Sequence, residues 1–252
     1  TCKGLREIGE EAFSHCSKLT QVTFSEGLEL IGKSAFSGTA IRTLQLPKSL
    51  AEIGDDAFYS CQGLSEVHMP NIPAKMGNYV FARCENIQQW NVPSELMKPR
   101  FVVTNGVLEE TVCMADLEEI VIPEGITKLK AKSIHNRAKR IILPESLRII
   151  GRNAFDFAAV EEVVIPSGVE EIERNAFNWC FALKEISLPN TIHTLGSSAF
   201  SRCVNLQTVK LPTKITKLED WVFAECKSLE EIDIPTGVTE IGSWAFSDCK
   251  KL

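Results

Sequence analysis

The stretch Cys180-Phe-Ala-Leu183-Lys-Glu-Ile186-Ser-Leu188-Pro189-Asn-Thr-Ile192-His-Thr-Leu195-Gly196-Ser-Ser-Ala199-Phe200-Ser-Arg-Cys203 starts and ends on the same phase of a repeat. Its dipeptide Ala-Phe recurs at Ala12-Phe13, Ala35-Phe36, Ala57-Phe58, Ala154-Phe155, Ala176-Phe177 and Ala245-Phe246. Val80-Phe81 and Val222-Phe223 occupy the same phase, and Ser133-Ile134 is a degenerate copy. Within each run successive phenylalanines lie 22 or 23 residues apart. Cysteine follows phenylalanine by three at Cys16, Cys61, Cys84, Cys180, Cys203, Cys226 and Cys249. Periods of 20 to 50 residues are the mark of a stacked repeat, and they take precedence over any reading of local segments.

Each unit is readable by itself. Leu-x-x-Ile-x-Leu-Pro alternates, so it predicts a short strand with one buried face. Proline ends that strand because it has no amide proton for a ladder. The glycine of Ile31-Gly32, Ile53-Gly54, Ile150-Gly151 and Ile241-Gly242 is expected to permit a tight corner. Ala-Phe-x-x-Cys has helical spacing and predicts a short helical turn on the opposite side. One such unit buries too little apolar surface to offset the entropy of ordering it, so neighbouring coils must complete its core.

These residues together resemble the BspA-like (Treponema pallidum-type) leucine-rich repeats. The resemblance implies an α/β repeat fold, a leucine-rich-repeat solenoid with short parallel strands on one curved face and short helical turns on the other. It covers about four repeats in residues 1–93 and about six in 113–252. Residues 94–112 break the pattern, and Asn105-Gly106 between apolar runs predicts a hairpin or irregular coil there. We favour one continuous solenoid over two separately folded domains. The coil of Ile134, in a basic context, is expected to be the least well packed. The chain begins without methionine and stops mid-unit, so it reads as an excerpt of a longer protein.

Composition narrows the function. A net charge of −6 argues against binding a nucleic-acid backbone, and no apolar run is long enough for a membrane span. The residues show no zinc-type Cys-x-x-Cys, no His-Glu-x-x-His, no phosphate-binding glycine loop and no nucleophile elbow. His15, His68, His135 and His193 fall at unrelated phases. We therefore expect no catalytic residues, no metal and no cofactor. The cysteine ladder reads as small apolar plugs facing the core. Cys2 fits two registers, and Cys113 at the irregular coil is the first candidate for a reactive thiol. Acidic pairs such as Glu118-Glu119 and Glu161-Glu162 read as a solvated strand face.

The candidate site is a binding surface. In a strand the residues on either side of the buried Ile point outward, and stacking aligns them in columns. The column after it places Val121, Ile142 and Val164 in succession, apolar where solvent is expected. Glu119, Arg140, Glu162 and Glu185 border them. A charge-rimmed apolar patch suits a docking site. A second candidate is Trp221 and Trp244, one repeat apart at the mostly polar position before Ala. Trp90 takes a buried Ile phase and is assigned to the core. The expected partner is another protein or a glycan. By resemblance the chain looks like a cell-surface or secreted adhesin. The alternative is an intracellular scaffold or a structural subunit, which free thiols and the absence of Asn-x-Ser/Thr sequons fit equally well.

Overall fold

The computed structural model describes residues 4–113, 116–134 and 138–252, without the side chain of Leu96. Cys2 and His135 lie outside the described residues. The chain forms two compact units, Thr1–Arg100 with Val112–Asp116, and Phe101–Thr111 with Leu117–Leu252.

In both units the alternating segment is a parallel strand, as expected. In the first, Thr43–Gln45, Glu66–His68 and Gln89–Asn91 pair with Leu44, Val67 and Trp90 in register. In the second, Glu119–Val121, Arg140–Ile142 and Glu162–Val164 pair through Ile120, Ile141 and Val163. Strand Glu185–Ser187 pairs likewise with Thr208–Lys210. The buried central residue fixes the register, because a slip by one would turn the apolar side chain to water.

A second side of the coil was not expected. The residues five and four positions before each Ala, or its equivalent, form two-residue strands with their own parallel sheet. Ile8, Ile31, Ile53 and Met76 stand in register in the first unit. Leu129, Ile150, Ile172 and Leu195 do so in the second. The hairpin is present: strands Arg100–Thr104 and Val107–Val112 flank Asn105 (φ 50°) and Gly106 (φ 76°). Positive φ at both central residues is the turn that matches strand twist. Its second strand pairs Leu108 with Leu129 and so supplies one rung of this second sheet. Ile134 itself is fully buried.

Among the described residues the expected helical turn on the third side is absent, and backbone hydrogen bonding gives the reason. In one coil of the second unit, Ser198, Phe200 and Arg202 donate their N–H groups to Asp220, Val222 and Ala224 of the next coil, at 2.9, 2.9 and 2.7 Å. The alternate residues Ala199, Ser201 and Cys203 donate to Gly196, Ser198 and Phe200, three positions back, at 3.1–3.2 Å. Half the amides close turns and half form a ladder between coils, whereas a helix would keep all of them to itself. Left-handed residues bracket the stretch, Ser198 at φ 57° and Arg202 at φ 64°. Equivalent pairs recur at Asp56 and Ser60, Asn175 and Trp179, and Trp221 and Glu225. No right-handed helix accommodates such a residue at each end of five.

The glycines also do something other than expected. Gly32, Gly54, Gly151, Gly196 and Gly242 do not have positive φ. A Cβ on Gly196 would instead lie 2.5 Å from the Arg174 nitrogen and 2.7 Å from the Glu173 carbonyl carbon. The glycine allows close approach of successive coils, not a corner.

Inside, the phenylalanines stack at coil spacing. Phe155, Phe177, Phe200 and Phe223 follow one another at 4.6, 5.0 and 5.5 Å between centroids, all fully buried. In the first unit Phe36, Phe58 and Phe81 do the same at 5.3 and 5.4 Å. Trp90 meets Phe81 edge-on at 5.5 Å and packs on this core, partly buried.

Candidate binding surface

The strand side of the second unit brings the expected residues together. Parallel pairing sets Val121, Ile142 and Val164 side by side. Val121 is 55% exposed, and the other two are half-buried. Two residues back along each strand, Arg140 stands between Glu119 and Glu162. Its Nη1 is 3.0 Å from Glu119 Oε2 and its Nε 3.1 Å from Glu162 Oε1. These carboxylates, Glu162 first, hold the guanidinium further toward its charged form. One position earlier, Lys139 pairs with Glu118 at 2.9 Å and Lys184 with Glu161 at 2.6 Å. The acidic pairs are therefore partners in cross-coil ion pairs, beyond being solvated. Glu185, on the following strand, is exposed and outside these ion pairs.

A cleft of about 500 Å³ opens beside this patch. Glu162, Val164, Glu185, Ser187, Thr208 and Lys210 line it above the buried Val163, Ile186 and Val209. Sequence reasoning did not mark Ser187, Thr208 or Lys210. Their signal was the change in the outward column from Val164 to Ser187 and Lys210, where apolar side chains give way to polar ones.

Trp221 and Trp244 lie on the turn side, so they do not join the strand-side patch. They stack at 5.3 Å and are 44% and 62% exposed. Both occupy the left-handed position before Ala, at φ 60°. Beside them is an aromatic column that the sequence reading missed. Phe157 and Trp179 stack at 5.6 Å, Arg202 lies 4.8 Å over Trp179, and Arg202 pairs with Glu225 at 2.8 Å. Tabulating the residue two after each phenylalanine would have found it.

Cys61, Cys84, Cys180, Cys203 and Cys226 face inward as expected, with an added role, whereas Cys16 of the same ladder is exposed and Cys249 part-buried. Cys180, Cys203 and Cys226 donate their thiols to the carbonyls of Phe155, Phe177 and Phe200 in the preceding coil, at 3.1–3.2 Å. Each thiol occupies a second lone pair on a buried carbonyl, which an alanine of similar size could not do. Cys113 is not a reactive thiol. It is buried, and burial pushes its pKa from 9.0 up to about 12. Burial also raises Cys203 and Cys226. Among the described cysteines the exposed one is Cys16. In native-state alkylation at pH 8, the exposed Cys16 is expected to react in the folded chain and the buried Cys113 only on unfolding. The folded state keeps the proton of Cys113 that the unfolded chain releases near pH 9.0. Stability is therefore expected to fall as pH rises from 9 toward 12, read as a lower urea midpoint at pH 10 than at pH 8.

Among the described residues no three His, Cys, Asp or Glu side chains converge as a metal site. Among them, too, no helix is long and apolar enough to cross a membrane.

With this geometry in place, comparison with known proteins supplies the family. Residues 2–100, 109–157 and 149–252 match the BspA type leucine-rich repeat region, in six copies. The chain belongs to that family. Such repeats are in general non-catalytic binding modules, and no enzyme family is indicated. Three solved structures are similar over nearly the whole chain. A leucine-rich repeat protein from Bacteroides ovatus is 22% identical with a TM-score of 0.51, covering 98% of this chain and 69% of its own. One from Eubacterium ventriosum is 21% identical with a TM-score of 0.53, covering 96% and 80%. The pneumococcal vaccine antigen PcpA is 20% identical with a TM-score of 0.53, covering 97% and 64%. At these identities the likeness is one of fold. No curated protein matches the chain.

Proposed function

We propose that the chain is a non-catalytic protein-docking module whose contact surface is the strand side of its second unit, in an adhesin-like, cell-surface setting. The observation that carries this is the registered apolar column Val121–Ile142–Val164 beside the ordered Glu119–Arg140–Glu162 ion pairs. An apolar centre with a charged rim is how a protein interface is built. The surface is also pre-ordered, since each strand is held by its neighbours, and binding loses little entropy in fixing it. The surface setting rests on family membership.

The test is affinity capture from the native source beside the variant Val121→Lys, Ile142→Lys, Val164→Lys. These side chains reach solvent, so an unchanged urea midpoint and circular dichroism spectrum are expected. A partner held by the native chain and lost by the folded variant supports the reading, and mass spectrometry then says whether it is protein or glycan. Equal capture by both would remove the strand side from consideration.

One observation favours a second reading, a scaffold or structural subunit that engages through its turn side. Phe157, Trp179, Trp221 and Trp244 are bulky aromatics on left-handed backbone, where the Asn153 and Asn175 of neighbouring coils are less strained. Exposed Trp and Arg are the residues that dominate interface energies. Capture that survives the triple lysine variant but fails with Trp221→Ser, Trp244→Ser would establish it.

A further inference from the structure

Resting on the strand-side reading above, we infer that the segment it recognises is a basic, aliphatic stretch of polypeptide, with a Lys or Arg side chain seated in the cleft between Glu162 and Glu185. Charge is the first ground. Three carboxylates, Glu119, Glu162 and Glu185, border the apolar column, against one cation, Arg140. Arg140 is already shared between the first two. The neighbouring column neutralises itself pairwise, Lys139 with Glu118 and Lys184 with Glu161. Among the described residues Glu185 has no ion-pair partner: its strand partner is Thr208, and Lys210, two residues further along that strand, lines the cleft without pairing to it.

Shape is the second ground. The cleft begins where the apolar column ends, at Val164, and both Glu162 and Glu185 line it. A long basic side chain fits such a place twice over: its methylenes lie on Val164 and its head group reaches a carboxylate. Lys210 closes the far end of the cleft. It repels a second cation there, so the cleft orders the incoming charge as well as attracting it. Glu162 keeps its contact with Arg140, so a second cation would complete an alternating series Glu119, Arg140, Glu162, ligand cation, Glu185.

The test uses two synthetic twelve-residue peptides, one alternating leucine and lysine, the other leucine and glutamate, with binding read by fluorescence anisotropy at 0.15 M salt. The native chain is expected to bind the lysine peptide and not the glutamate peptide. Glu185→Lys is expected to weaken the lysine peptide about tenfold. Glu170→Lys makes the same change of net charge at an exposed residue beside the second sheet and outside the cleft lining, and is expected to change binding by less than about twofold, since exposed charges off the contact surface are screened by salt. Equal losses from both variants would reduce the effect to bulk attraction and overturn the inference, and so would no loss from Glu185→Lys. The captured partner separates the two readings. A partner lost with the triple lysine variant but retained by Glu185→Lys leaves the docking surface standing and removes the basic segment. A partner lost with both supports both.

Discussion

Replacing Gly196 by alanine is expected to destabilise the second unit by roughly 3 kcal/mol, at the upper end of what overpacking costs. The added Cβ would sit 2.5 Å from the Arg174 nitrogen, 2.7 Å from the Glu173 carbonyl carbon and 3.0 Å from the Arg174 Cα. All three are backbone atoms, so no side chain can turn aside to relieve the contact. Relief requires moving one coil away from the other. The Gly196 N–H donates to the Ile172 carbonyl at 2.8 Å, and separating the coils lengthens that bond and its neighbours in the second sheet. Gly9→Ala is the internal control, because a Cβ there has nothing within 4 Å and its φ is not positive. It is expected to be neutral, or to stabilise by about 0.5 kcal/mol through the unfolded chain. Urea titrations followed by tryptophan fluorescence read both. A Gly196→Ala loss no larger than that of Gly9→Ala would show that the coils are not held at this spacing.

This glycine also marks where sequence reasoning stops. Its recurrence after Ile was plain, but a local reading assigned it to a corner, while its cause lies in the backbone one coil earlier. Short-range pattern carries phase, not the distance between coils. The turn side failed for a related reason. Ala199, Phe200 and Cys203 all face inward, and spacings of one and four suit a helix and a turn ladder alike. The discriminating signal was weak and lay elsewhere, in Gly38, Asn153 and Asn175, residues tolerant of left-handed backbone at the two bracketing positions. The second sheet was hidden because two residues are too few to show a period. By contrast the strand side was legible down to single contacts. Once Ile120, Ile141 and Val163 are known to be buried, the register of Val121, Ile142 and Val164, and of Glu119, Arg140 and Glu162, follows from the pleat. What the columns could not show was depth. The cleft exists because Ser187 and Thr208 are short beside Glu185 and Lys210, a property of neighbouring columns together.

Phe200→Ala is expected to have the larger effect, about 4 kcal/mol, within the range for deleting a fully buried aromatic ring. Phe200 stacks on Phe177 at 5.0 Å and on Phe223 at 5.5 Å, so the deletion breaks the ring column in two. In a coil stack, stability is a sum of unit terms and nearest-neighbour terms, and this substitution removes one unit's filler and weakens both of its interfaces. The consequence reaches beyond magnitude. Trp179 lies one coil before Phe200, and Trp221 and Trp244 lie one and two coils after it. Single-tryptophan versions retaining Trp179 or Trp221 should unfold together in the native background. With Phe200→Ala their midpoints are expected to separate. Phe13→Ala removes the same ring where it is 41% exposed and, among the described residues, stacked on Phe36 at 5.0 Å. Its expected loss is about 1–2 kcal/mol, in proportion to the smaller area withdrawn from water. Coincident midpoints in the Phe200→Ala background would mean that the backbone ladders of the two sheets and the turn side, rather than the ring column, carry the coupling from coil to coil.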